Sequence, residues 1–164
     1  KTSLDSVAKI VTVFIIVLFG FLIYLEINSY LGNPDAGRIY LYGIILIFVI
    51  VLAVSYLYKP QKYILTEDSL IIKRSIGRVP IKLYEIIKVE RVAKRDLSGT
   101  IRTFGIGGVF GYMGKFYHRR NGNMTFYVTD RNKILLIETS TGKIIGISPD
   151  DIKLADKLLE YIQR

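Results

Sequence analysis

The chain of 164 residues carries a formal charge of +9, contains no cysteine, and has room for about one domain plus an accessory segment. The missing cysteine excludes a disulfide framework and a thiolate metal site. The apolar fraction of 51% is near the ordinary soluble level but is unevenly distributed along the chain.

Two uncharged runs open the sequence. The second, IYLYGIILIFVIVLAVSYLY, is 20 residues long and as a helix spans the roughly 30 Å hydrocarbon core of a bilayer. It predicts a transmembrane helix over about 39–58. The first, Ile10 to Leu25, is extended by Val7, Ala8 and Ile27, with Lys9 and Glu26 near enough to the interfaces to snorkel. It predicts a helix over about 7–27. A cleaved signal peptide is disfavoured by the length of the run and by the lack of a small-x-small pattern after it. Neither run has the polar stripe of an amphipathic helix in a soluble protein.

Between the runs lies NSYLGNPDAGR, where Asn33-Pro34-Asp35 and Gly37 supply turn chemistry. This loop holds one positive residue, Arg38, whereas Lys1 and Lys9 flank the first helix and Lys59 and Lys62 follow the second. The positive-inside rule then places both termini in the cytoplasm. Residues 1–59 are read as a two-pass transmembrane hairpin and residues 60–164 as a cytoplasmic domain, with only Lys59, Pro60 and Gln61 between the second helix and the first strand.

From Gln61 the period changes. KYIL, SLIIKR, VPIKL, EIIKVERV, MTFYVT, KILLIET and KIIGIS are short segments rich in Ile, Val, Tyr and Thr. TEDS at 66–69, DRNK at 130–133 and STGK at 140–143 read as hairpin loops. At the end, Ser148 is suited to N-cap a helix, Pro149 to its first position, and Asp150 and Asp151 to its positive pole. Ile152, Ala155, Leu158, Leu159 and Ile162 then share one face, widened by Leu154 and Tyr161. The fold class is α+β: a two-helix hairpin, a mostly antiparallel β domain, and one closing amphipathic helix.

The stretch RTFGIGGVFGYMGKF, followed by FYVTDRNKILLIETSTGKIIGISPDD, resembles the bacterial pleckstrin-homology-like (PH-like) domains found behind two transmembrane helices. The resemblance covers roughly residues 60–162. It implies a PH-like β-barrel of about seven strands plugged by the C-terminal helix. In PH domains that bind phosphoinositides, the gripping cations lie mainly in and beside the first hairpin loop. Here that loop is Thr66-Glu67-Asp68-Ser69, short and acidic, so the resemblance carries over the fold and not a phosphate pocket.

The charge is regional. Residues 73–120 hold twelve Lys and Arg against Glu85, Glu90 and Asp96, which accounts for the whole excess of +9. Lys88, Arg91, Lys94, Arg95, Arg102, Lys115, Arg119 and Arg120 are the candidate contact residues for anionic lipid headgroups or an acidic protein partner. A solvated surface, with the hairpin and barrel edges used for homo-oligomerisation as a structural subunit, is the alternative. Nucleic acid is disfavoured, because no recognition helix or RNP-type aromatic strand is present.

The glycine-rich stretch fails as a nucleotide site. From Gly105 and Gly107 the third glycine of a dinucleotide fingerprint falls at Phe110, and no Gly-Lys-Ser/Thr ends a P-loop. Gly105, Gly107, Gly108, Gly111 and Gly114 read instead as a backbone bend. Tyr112, Met113, Phe116 and Tyr117, flanked by cations, form a candidate interfacial or partner-binding tip. His118, the only histidine, reads as a solvated loop residue. No metal-ligand spacing or paired carboxylates with a task are seen, so the reading is a non-enzymatic module without cofactor or metal.

Overall fold

The computed structural model describes residues 2–32 and 38–162. Helix α1 spans Ser6–Gly32 and α2 spans Arg38–Tyr58. Asn33-Pro34-Asp35 and Gly37 lie outside the described residues. The two helices touch through Phe19 and Phe48, whose rings stack at 4.3 Å. Ser6–Ser29 is long and apolar enough to cross a membrane by length and composition, and most of its large side chains are uncovered. The apolar part of α2, Tyr42–Tyr58, is shorter than that measure, so one helix among the described residues meets it where two were expected.

Nine strands follow among the described residues. β1 (Pro60–Leu65), β2 (Ser69–Arg74) and β3 (Arg78–Lys82) form a three-stranded antiparallel sheet in chain order. β4 (Ile86–Val92), β5 (Ile101–Gly107), β6 (Tyr112–His118), β7 (Gly122–Val128), β8 (Ile134–Thr139) and β9 (Ile144–Ile147) form a second sheet in the order β4-β8-β9-β7-β6-β5. Helix α3 spans Ile152–Ile162.

Four expectations are corrected here. The sheets do not join into a closed barrel: they are separate ladders, three- and six-stranded, packed as a sandwich. The glycine-rich stretch is not only a bend, because it supplies two strands, β5 and β6, joined at Gly108 to Gly111. Residues 130–133 are no hairpin loop; β9 lies between β7 and β8 and pairs with β7 in parallel, so this connection crosses over. Finally, Asp151 rather than Ser148 caps α3, its carboxylate accepting the Lys153 N–H at 2.9 Å.

The period-2 alternation of the large sheet feeds two apolar layers. Leu135, Ile137, Ile145 and Ile147 point toward the small sheet and meet Tyr63, Leu70, Ile72 and Ile81, with Ala155 and Leu158 of α3 completing this core. The contact stripe of α3 is narrower than its sequence pattern, since Ile152 is 70% exposed and Tyr161 is also exposed. The side chain of Ile162 lies outside the described part. On the opposite face Tyr112, Phe116, Met124, Phe126, Val128, Ile134 and Leu136 pack under Leu97 and, from the start of α1, Ala8.

Gly146 shows how tightly that second layer is built. A Cβ there would lie 2.6 Å from the Phe126 ring.

Candidate functional site

The site that the fold assembles is the seat where both helices enter the domain. At α1, Asp5 is the N-cap: its carboxylate accepts the Ala8 N–H at 2.6 Å and its carbonyl accepts the Lys9 N–H. The same carboxylate, 6% exposed, accepts the Tyr112 hydroxyl at 3.3 Å and both the main-chain N–H and the Nε–H of Arg131 at 3.2 Å. The Arg131 guanidinium lies over the Tyr112 ring at 4.4 Å. Burial pushes the Asp5 carboxyl up, but the amide donors and the guanidinium outweigh it and hold the pKa below the ordinary value. Burial and the facing Asp5 charge push the Tyr112 phenol up to about 12.

The preceding residues extend this grip. Asp5 N–H donates to the Thr129 carbonyl, Ser3 donates to Asp150, and Thr2 donates to the Pro60 carbonyl at 2.8 Å. Further along α1, Thr12 accepts the Phe110 N–H at 3.0 Å. Phe110 holds the left-handed φ of 53°, which a bulky residue rarely adopts, and its ring meets Tyr56 of α2 edge-on at 5.7 Å.

Two glycines make this seat. Gly108 has φ 112°, and a Cβ there would press on Val11 at 3.0 Å; Gly111 has φ 132° and faces the Val128 carbonyl.

At α2 the β2–β3 turn closes the helix end. The Ile76 N–H reaches the Leu57 carbonyl at 3.3 Å, and the Ser75 hydroxyl lies at 3.5 Å from the Tyr56 carbonyl. Arg74 stacks between Tyr58 at 5.1 Å and Tyr127 at 5.9 Å, with its buried Nε unpartnered. Lys59 alone separates α2 from β1, a shorter join than the sequence suggested.

The eight cations proposed from the sequence are all exposed, but they do not share one face. Lys88 and Arg91 sit on opposite faces of β4 and are ion-paired with Glu90 and Asp156. Arg102 pairs in register with Phe116, whereas Lys115 stands opposite Phe104 on the other face. Arg119 and Arg120 occupy the β6–β7 turn, a strand length of about 20 Å from the Tyr112 end of β6. Lys94 and Arg95 lie on a 3₁₀ turn that covers the second core.

Of the four residues read as an interfacial tip, Tyr112, Met113 and Phe116 are buried and only Tyr117 is exposed. The most exposed aromatic in the region is Phe104 on β5, at 76%. His118, read as solvated, is buried; its Nε2 lies 3.3 Å from the Ser98 carbonyl and its Nδ1 has no partner. Asp5, Arg131, Thr12 and Arg74 were not singled out from the sequence. Their partners lie far away in the chain, and only an acid at the mouth of an apolar helix hinted at Asp5.

Two sheets packed face to face, with one C-terminal helix on their shared core, make a PH-like domain. The model of the bacterial PH domain family matches residues 61–162, and the chain belongs to that family. No curated protein and no solved structure matches it. The matched segment begins after α1, so the Asp5 and Ala8 contacts add to the family domain a piece that it does not itself contain.

Proposed function

We propose that this protein is a two-pass, membrane-anchored, non-enzymatic binding and scaffolding module, with both termini and the domain on the cytoplasmic side. On this reading its exposed cations contact anionic lipid headgroups or an acidic protein partner. The observation that carries it is the double grip on the hairpin: Asp5 holds the start of α1, and Ser75 with Ile76 holds the end of α2. A domain so fixed at the mouth of two apolar helices is held close to the headgroups. The tyrosines Tyr56 and Tyr58 and the cations Lys59 and Arg74 at that mouth suit a membrane–water interface. Lys94, Arg95, Arg102, Lys115, Arg119 and Arg120 have exposed charge for the contact, each worth roughly 1 kcal/mol near an anionic leaflet.

The chain has no cysteine, so single cysteines at Ala36 and Asn123 report sidedness cleanly with an impermeant maleimide. Two-pass topology requires the two sites to label from opposite sides; labelling from the same side sinks it. In anionic nanodiscs, hydrogen exchange over 94–102 and 115–120 should slow relative to zwitterionic ones and recover as salt rises.

One observation favours a structural subunit instead. β5 is an open edge whose Ile101 and Phe104 are exposed, a surface suited to pairing with another copy. A defined oligomer in mild detergent, with exchange indifferent to lipid charge, would favour that alternative.

A further inference from the structure

A groove of about 680 Å³ opens on the second face of the large sheet, between that sheet and the β4–β5 connection. Its floor is closed by the buried rings of Tyr112, Phe116 and Phe126, none more than 7% exposed, the last two stacked at 4.7 Å. Its lip is basic: Lys94, Arg95 and Arg131. The volume falls in the range that holds small organic ligands, roughly 300–1,000 Å³.

Arg131 is occupied by Asp5, so the charge available to a ligand is that of Lys94 and Arg95. Lys94 has no ion pair among the described residues. Arg95 lies 3.7 Å from Asp96, and its side chain is 89% exposed, a contact of little worth in water. From Leu97 to Thr129, which includes β5, β6 and β7, there is no acidic residue. A groove with a cationic lip and no carboxylate along β5 to β7 is complementary to a compact anionic headgroup.

We propose that this groove holds the headgroup of one anionic phospholipid, its phosphate on Lys94 and Arg95. The source is the bilayer and not free phosphate or a soluble metabolite, because the groove adjoins the anchor. Tyr112 in its floor is 3.3 Å from Asp5, and Asp5 is the last residue before α1. The assignment rests on the membrane-anchored reading above and narrows it from a dispersed basic surface to one cavity.

The test uses the full chain in non-ionic detergent with equimolar phosphatidylglycerol and phosphatidylcholine, and native mass spectrometry counts the lipids retained. One phosphatidylglycerol per chain should be kept preferentially. Lys94→Ala/Arg95→Ala, exposed positions whose change should leave the melting temperature unaltered, should lower that retention on the order of 10-fold or more. Arg119→Ala/Arg120→Ala, at the far turn, should not.

Retention unchanged in the first variant, or lost in the second, overturns the groove while headgroup binding elsewhere stands. No preference for phosphatidylglycerol in the unaltered chain overturns both, and is also the result that an acidic peptide as the groove's true occupant would give.

Discussion

Arg131 donates twice to one oxygen of Asp5, from its main-chain nitrogen and from Nε, both at 3.2 Å and across 126 positions of sequence. The pair ties the helix cap to the β7–β8 crossover. Replacing Asp5 by Ala removes the cap and leaves Arg131, 30% exposed at its side chain, without its anion. The cost should be about 3 kcal/mol, read as a lower unfolding temperature of the full chain in detergent. Asp5→Asn, which keeps an acceptor for Ala8 and Tyr112, should cost less.

The same carboxyl sets an acid limit. Its folded pKa lies below the ordinary 3.8, so its stabilisation is complete above about pH 4 and is lost as pH falls through the lower folded value. Protection factors at residues 5–12, which divide out the intrinsic pH dependence of amide exchange, should therefore fall only below about pH 4, and Asp5→Asn should flatten the response. A fall in protection already at pH 6 would contradict the assignment.

Gly108→Val should unseat α1 without unfolding the sheets. The added side chain meets Val11, and φ of 112° suits glycine alone. Gly122→Ala at φ 71°, with open space around it, should cost only the backbone penalty of about 1 kcal/mol. Hydrogen exchange over residues 5–12 separates the two: protection is lost in the first variant and kept in the second.

Tyr63 bridges the sandwich by donating to the Tyr127 carbonyl at 2.6 Å and accepting the Ser148 N–H at 3.1 Å. Tyr63→Phe strands both partners in a buried site and should cost about 1–3 kcal/mol. Burial pushes this phenol up to about 12. The raised value means its stabilisation is full below about pH 10 and is lost as pH climbs toward 12. Tyr63→Phe should reduce the alkaline destabilisation seen by circular dichroism; an unchanged alkaline limb would refute this.

Gly146→Ala should be destabilising by about 1–3 kcal/mol because its methyl strikes Phe126. Phe126→Leu in the same chain should recover part of that loss. Simple additivity of the two changes in a double-mutant cycle would show that they do not compete for the same space.

Features that are local in the chain were legible in the sequence. The uninterrupted apolar runs marked α1 and α2 to within a few residues, and β-branched clusters marked β1 to β4 and β7 to β9. β5 and β6 were hidden because Gly105, Gly107 and Gly114 depress strand propensity, although Gly105 and Gly114 face each other in register across the hairpin. The insertion of β9 beside β7 was hidden too, since a parallel pairing leaves no turn signature.

The basic residues do not gather on one face, for a geometric reason. Strands alternate faces at every step, so cations close in sequence, such as Lys88 and Arg91, emerge on opposite sides. Proximity in the chain measured charge density, not a surface.

Lys59 alone links α2 to β1, and Asp5 grips the other helix at a separate point. Two attachments on two helices leave the domain no swivel. Successive residues of an α-helix are rotated by about 100° around its axis, so the azimuth of the sheets around the hairpin is written in helix register. The seat of α1 on β5–β6 and the one-residue join of α2 to β1 therefore make the bearing of the sheets a property of where along each helix the contacts fall.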